Sequence, residues 1–154
     1  MTNDKAIQAF WNDFKKRQGF THNNYQAWAF GNTPDMADEL ADLVVKGIKT
    51  ATTSARELYE KGEPLPQVGE FNMILDGSGD PVAMTRTVVV ETLPYRLVTW
   101  EHAWHEGEGD RTLAYWRRVH EAFFKQEYAE AGVTFTENMP CVCEVFELVY
   151  KKGD

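Results

Sequence analysis

Hydrophobic positions along the chain switch between helical and strand periods. Residues 4–17 place Ile7, Phe10, Trp11 and Phe14 three and four apart, which predicts an amphipathic first helix. "FTHNNYQAWAF" sets turn formers before aromatics, a loop leading into a short extended piece. The next helix is punctuated at both ends. Thr33 caps it, Pro34 suits its first turn, and Met36, Leu40, Ala41 and Val44 form its apolar stripe. Gly47 sits where a left-handed C-terminal cap belongs, so the chain turns there and "IKTAT" starts a short strand. Residues 54–61 read as a further helical turn ending at Gly62.

Beyond the loop "EPLPQVG", the stretch "EFNMILD" reads as a strand, "DGSGDP" as a turn and "VAMTRTVVVE" as the antiparallel partner. "LPYRLVTWEHAW" mixes extended and helical signals and resolves into neither. An acidic, glycine-loosened loop, "HEGEGD", precedes a long helix over about 111–130 marked by Leu113, Trp116, Val119, Phe123 and Phe124. "CVCEVFELVY" closes the chain as a strand. Helices interleaved with strands, a tight central hairpin and a closing strand predict an α+β domain, economically built as a small partly open barrel flanked by helices.

Composition narrows the class. The chain has 154 residues, 43% of them hydrophobic, with five Trp, six Tyr and nine Phe, enough for one core and too apolar for disorder. No run of about 18 apolar residues occurs, so no membrane span is expected. The start "MTNDKAIQAF" lacks the blocks of a signal peptide, and Cys141 and Cys143 are spaced too closely to pair readily, so a reduced, cytoplasmic protein is expected. A net charge of −8 argues against general binding to a phosphate backbone, though a local basic groove is compatible with it.

Several side chains bear on chemistry. A partly desolvated Lys49 has its pKa lowered and can act as a base toward Thr52, turning that hydroxyl into a nucleophile. By composition alone the plainer reading is a solvated lysine among threonines chosen for strand propensity. In "EGEGD" an extended backbone would point Glu106, Glu108 and Asp110 the same way, as cation ligands or with one as a general acid. Asp110 suits an N-cap and Glu108 a solvated position, which leaves Glu106 open. Arg86 shares a strand face with Val82, Met84, Val88 and Val90, and Glu144 shares one with Val142, Phe146 and Leu148. Either the two form an ion pair across strands, the plainer choice, or Arg86 faces a pocket and contacts substrate. His102, His105 and His120 lie near carboxylates, but HExxH and Cys/His arrays are absent, so packing roles are expected. GxSxG, P-loop and GxGxxG motifs are also absent. Trp28, Phe30, Trp100, Trp104, Tyr115 and Trp116 offer flat surfaces, a few for stacking on a base and most for the core.

Together these stretches resemble a known family. "GIKTATTS" resembles the GxKxxT signature of the ASCH domains, relatives of the PUA-type RNA-binding barrels. "YQAWAFG", "ADELADLVVKGIKTATTS", "LPQVGEFNMILDGSGDPVAMTRTVVVE", "HAWHEGEGDRTLAYWRRVHEAFFKQE" and "MPCVCEVFELVY" resemble one subfamily of small stand-alone ASCH proteins. The resemblance covers about residues 25–150 of a single domain, 1–154, that adds an N-terminal helix. It implies a PUA-like, partly open small β-barrel of the α+β class. Some small stand-alone members are amidohydrolases that remove acyl groups from N4-acylated cytidines, and others are ribonucleases. The amidohydrolase set of lysine, threonine and glutamate corresponds here to Lys49, Thr52 and, through "HAWHE", Glu106.

The chemistry this implies has Thr52 attacking the acyl carbonyl with Lys49 as base. Glu106 protonates the departing cytosine amine or activates the hydrolytic water. Arg86, with Trp28 and Tyr115, holds base and sugar. The expected partner is a small nucleoside, with no metal or organic cofactor. The alternative is an RNA-binding module or ribonuclease in which Lys49 and Arg86 contact phosphate, and a third reading is an interaction domain with an inactive pocket. Residues three apart on a regular strand face opposite sides, so Lys49 and Thr52 share a site only if the backbone is irregular at Thr50 and Ala51.

Overall fold

Side-chain caps set where the helices begin. Asn3, Thr33, Thr99 and Thr112 each accept a hydrogen bond from the backbone N–H three residues on, opening α1 (Asp4–Gln18), α2 (Pro34–Val45), α3 (Trp100–Glu106) and α4 (Leu113–Glu130). The computed structural model, which describes residues 3–154, adds five strands: β1 (Gln26–Ala29), β2 (Ala51–Ala55), β3 (Phe71–Leu75), β4 (Pro81–Pro94) and β5 (Pro140–Lys151). They form one sheet in the order β1-β3-β4-β5-β2, parallel between β1 and β3 and antiparallel elsewhere. The sheet is a half-barrel flanked by the four helices, an α+β fold.

Apolar side chains assign each helix its place. Trp11 and Phe14 of α1 pack against Met73, Leu75, Met84 and Tyr150 on one side of the sheet. Ala41 and Val44 of α2 meet Ile74, Ala83 and Phe146 on the other. Trp116, Phe124 and Tyr128 of α4 join Tyr95, Val98 and Ala103 over Ala55, Cys141 and Cys143 at the β2–β5 end. Both cysteines are buried and free. The unresolved stretch "LPYRLVTWEHAW" is the end of β4, a 3-10 turn over Tyr95–Leu97 and all but the last residues of α3.

β4 departs from the apolar pattern after Met84. From Thr85 onward the buried positions are Thr85 and Thr87, whereas Val88 and Val89 are exposed and Met84 is the last residue buried on the face of Arg86. Arg86 lies on the face of Met84, but that face emerges into solvent, and Arg86 pairs there with the half-exposed Glu147. The Arg86–Glu144 pair is therefore corrected. Glu144 is buried and accepts from Thr87 Oγ1 at 2.6 Å. Apolar residues mark the core only where another layer covers the strand, and α1 does not extend over Arg86 and Val88.

Two glycines fix the local geometry of the site. Gly47, at φ +74°, closes α2 as the backbone N–H groups of Ile48 and Lys49 both donate to Leu43 O. Gly107, also at φ +74°, ends α3, and a Cβ there would lie 2.6 Å from the carbonyl oxygen of Ile48. Gly47→Ala meets open space and should cost about 1–2 kcal/mol for the left-handed backbone alone. Gly107→Ala adds the clash and should cost clearly more than Gly47→Ala. Urea unfolding of the two variants checks the order.

Candidate active site

The segment after Gly47 runs beside the C-terminal end of α3. Thr50 N donates to His105 O at 2.7 Å, so the Lys49 side chain is delivered to the helix's last turn. Carbonyls at a helix C-terminus lack intrahelical partners and attract cations. Lys49 Nζ donates to Glu106 O at 3.4 Å and, folding back, to Ala51 O at 2.9 Å. It also meets Glu106 Oε1 at 3.3 Å and Glu108 Oε2 at 2.9 Å, and lies 5.1 Å from the centre of the Phe30 ring. Lys49 is 2% exposed and Glu106 1%, so both charges are held away from water.

Glu106 is surrounded by donors. Its Oε2 accepts from Thr53 Oγ1 at 2.7 Å and from the Trp116 indole N–H at 2.5 Å. His102 Nε2 lies 3.5 Å from Oε2, and His120 Nε2 lies 3.6 Å from Oε1. His102 Nε2 is also 2.8 Å from Thr53 Oγ1. Burial alone would raise the Glu106 pKa, but the Lys49 ammonium and then the two histidines outweigh it and hold the carboxyl well below its ordinary value. Burial alone would lower the Lys49 pKa, yet Glu106 and Glu108 reverse that and raise it. His120 is likewise raised, with burial opposing and Glu106 prevailing. The resting pair is an ammonium and a carboxylate. The direction at Lys49 is the opposite of the lowering expected from desolvation.

A cleft of about 330 Å³ opens on this cluster. Lys49, Thr52, Thr53, Glu106, Glu108 and His120 line it together with the apolar Phe30, Met36, Leu40 and Phe123. Glu106, Glu108 and His120 present ligand atoms within 4.8 Å of one another, as a metal site would. However, the Lys49 ammonium already lies within 3.3 Å of both carboxylates, and a divalent ion would have to displace it against charge repulsion.

Residues 26–150 match the family model described as the ASCH domain. The chain belongs to the ASCH domain family. Among solved structures, protein EF3133 from Enterococcus faecalis V583 is similar over 99% of this chain and 97% of its own, with 35% identity and a TM-score of 0.89. An ASCH domain from Lactobacillus crispatus JV V101 is similar over 97% of this chain and 96% of its own, with 30% identity and a TM-score of 0.86. No curated protein matches the chain.

This ASCH domain treats the expected site residues differently. Lys49, Thr52 and Glu106 line the same cleft. The backbone is irregular over residues 48–50, ahead of β2, whereas the register from Ala51 onward is unbroken. Strand parity therefore turns Thr53 toward Glu106, while Thr52, opposite Glu144, makes no side-chain hydrogen bond among the described residues. Trp28 lines a neighbouring cleft and donates to Asn72 Oδ1 at 2.8 Å. Arg86, on the outer face, and Tyr115, packed against Gly109 and under Arg118, line neither cleft. Glu108 is an ion-pair partner of Lys49, not a solvated carboxylate. Asp110 accepts from Thr112 N and Oγ1 and so supports the cap residue of α4 instead of being it. Thr53 is a member that sequence reasoning missed, and Glu108, His102, His120 and Trp116 were seen there but expected in solvated, packing or core roles. The available signals were the same-face spacing of Lys49 and Thr53 and the i, i+4 spacing of His102 and Glu106.

Neutralising one partner of a buried pair strands the other. Glu106→Gln should lose about 3–5 kcal/mol in urea unfolding at neutral pH. Lys49→Met should lose less, because Thr53, Trp116 and the histidines still serve the carboxylate. A carboxyl with a depressed folded pKa contributes stability above its unfolded value that disappears as pH falls through the folded one. The wild type should therefore lose stability below pH 4.5 more steeply than Glu106→Gln.

Proposed function

We propose that this ASCH domain is an amidohydrolase that removes the acyl group from N4-acylated cytidines or similar nucleosides. The observation that carries the reading is the gathering of Lys49, Thr52 and Glu106 on one cleft that Phe30, Met36, Leu40 and Phe123 also line, as an acyl chain requires. The protonation states decide the roles. The Lys49 ammonium stabilises negative charge on the acyl oxygen as Thr52 Oγ1 adds to the carbonyl carbon. The Thr52 proton passes to the Glu106 carboxylate, which gives it to N4 as the C–N bond breaks, releasing cytidine and leaving an ester on Thr52. Water then adds to the ester with Glu106 as base, the free acid departs, and the proton returns to Thr52. Thr52 and Glu106 are not hydrogen-bonded in the resting site, so the substrate must bring them together.

Glu106 and Glu108 already match the one lysine of the cleft, which leaves no free cation for a polyanion and so weighs against the RNA reading. Hydrolysis of N4-acetylcytidine to cytidine, followed by chromatography, tests the proposal. Lys49→Met and Thr52→Ala should each lower kcat by about a hundredfold or more. Absence of turnover in the wild type would sink the reading, and undiminished turnover in both variants would sink the site.

The pH profile separates the two roles of the lysine. With Lys49 working as an ammonium, kcat stays level through neutrality and falls only as pH rises through a value above 10.5. A rate that climbs steadily from neutral pH toward 10 would show the neutral amine to be the active form.

A further inference from the structure

The inner face of the half-barrel carries polar side chains where a core is ordinarily apolar. Gln26 stands opposite Asn72, Asn72 opposite Thr85, and Glu144 opposite Thr52, while Thr87 Oγ1 donates to Glu144 Oε2. Asn72, Thr85, Thr87 and Glu144 are all buried. A second cleft, of about 350 Å³, opens on this row and is lined among others by Trp28, Thr52, Ser54, Tyr59, Asn72 and Glu144.

Two of these buried side chains use only part of their bonding capacity. An indole nitrogen only donates, so the bond from Trp28 Nε1 fixes the Asn72 oxygen toward Trp28 and leaves Nδ2 on the other side. Among the described residues Asn72 Nδ2 has no partner, and neither has Glu144 Oε1. Asn72 is only 3% exposed and Glu144 6%, yet no buried side-chain nitrogen or oxygen among the described residues lacks a partner, so these two atoms open onto the cleft, where a ligand can meet them. The Ser54 and Tyr59 hydroxyls satisfy each other at 2.8 Å. What completes the pair is a flat ligand with an acceptor for Asn72 and a donor for Glu144 on its edge, and a face for Trp28. Glu63, Glu70 and Glu144 line the same cleft with no lysine or arginine, so the ligand is not an anion.

We infer that the Trp28–Asn72–Glu144 cleft is the subsite for the pyrimidine ring of an uncharged nucleoside, with Asn72 Nδ2 donating to a ring acceptor and Glu144 Oε1 accepting from an N–H. The inference deepens the acylcytidine reading and rests on it for the identity of the ring. Thr52 borders both clefts, so a ring held against Glu144 presents its N4 substituent toward Lys49. Burial also raises the Glu144 pKa, despite the Thr87 hydrogen bond.

Calorimetric titration with cytidine, the reaction product, reads the subsite without turnover. Relative to the wild type, Asn72→Ala and Glu144→Ala should each weaken cytidine binding about tenfold or more, the worth of one good hydrogen bond. Cytidine 5′-monophosphate should bind at least about tenfold more weakly than cytidine. In the wild type the Trp28 indole N–H resonance should shift as cytidine is added, a readout that survives if a variant fails to fold. No shift at high cytidine, or wild-type affinity in both subsite variants, overturns the inference. Cytidine binding that needs Asn72, without hydrolysis of N4-acetylcytidine, would defeat the proposed function and leave the subsite standing. Hydrolysis with KM unchanged in Asn72→Ala would do the reverse.

Discussion

An ammonium group can be taken out of water only where anions and carbonyls replace its hydration, and Lys49 makes that demand at the meeting point of three chain segments. The sharp exit from α2 at Gly47, the end of α3 at Gly107 and the start of β2 are all committed to it. Gly107 is needed because the Ile48 carbonyl presses against the helix end, and that approach is what lets Thr50 and Lys49 reach the carbonyls of His105 and Glu106. Once Glu106 is buried to meet the lysine, its remaining lone pairs require donors, and Thr53, Trp116, His102 and His120 supply them from β2, α3 and α4. The cluster thus joins elements far apart in sequence through a single chain of charge and hydrogen bonding.

That arrangement fixes protonation more firmly than position. Two carboxylates against one lysine leave the ammonium overmatched by negative charge, which explains why Lys49 is raised in spite of complete burial. The excess is partly answered by His120, itself raised by Glu106. In the proposed reaction a lysine so held would serve a developing oxyanion, and the base would be the carboxylate. Residue identity alone could not have assigned these roles, because desolvation and charge pairing push a lysine in opposite directions and only the distances say which prevails.

Much of the fold was legible in the residues. Apolar spacing located α1, α2 and α4, and the Thr33, Pro34 and Gly47 signals bounded α2. The 7-residue α3 escaped because it is too short to display a period, although Thr99 capping it was there to be seen. β4 was misread beyond Met84 because its covered positions there carry Thr while Val88 and Val89 are exposed. The same departure misdirected Arg86 toward Glu144. Lys49 and Glu106 were reached through family resemblance, whereas Thr53 follows from strand parity. The supporting histidines needed the three-dimensional path of α3 and α4.

Charge connects the two clefts. Lys49 is the one lysine or arginine among the residues that line them, and its charge is already matched by Glu106 and Glu108. Arg86, the other cation expected to meet phosphate, is spent on Glu147 at the outer surface. A ligand entering from either side therefore gains little from net charge and must be held by desolvated hydrogen bonds and apolar contact. Those bonds are on offer at Asn72 and Glu144, the apolar contact at Phe30, Leu40 and Phe123, and Thr52 is the side chain that both clefts share. For a neutral molecule with a flat polar ring joined to an acyl group, the shared threonine is where the scissile bond would come to lie. An acidic protein with a net charge of −8 loses nothing by such a choice, since neither end of that molecule asks for a basic surface.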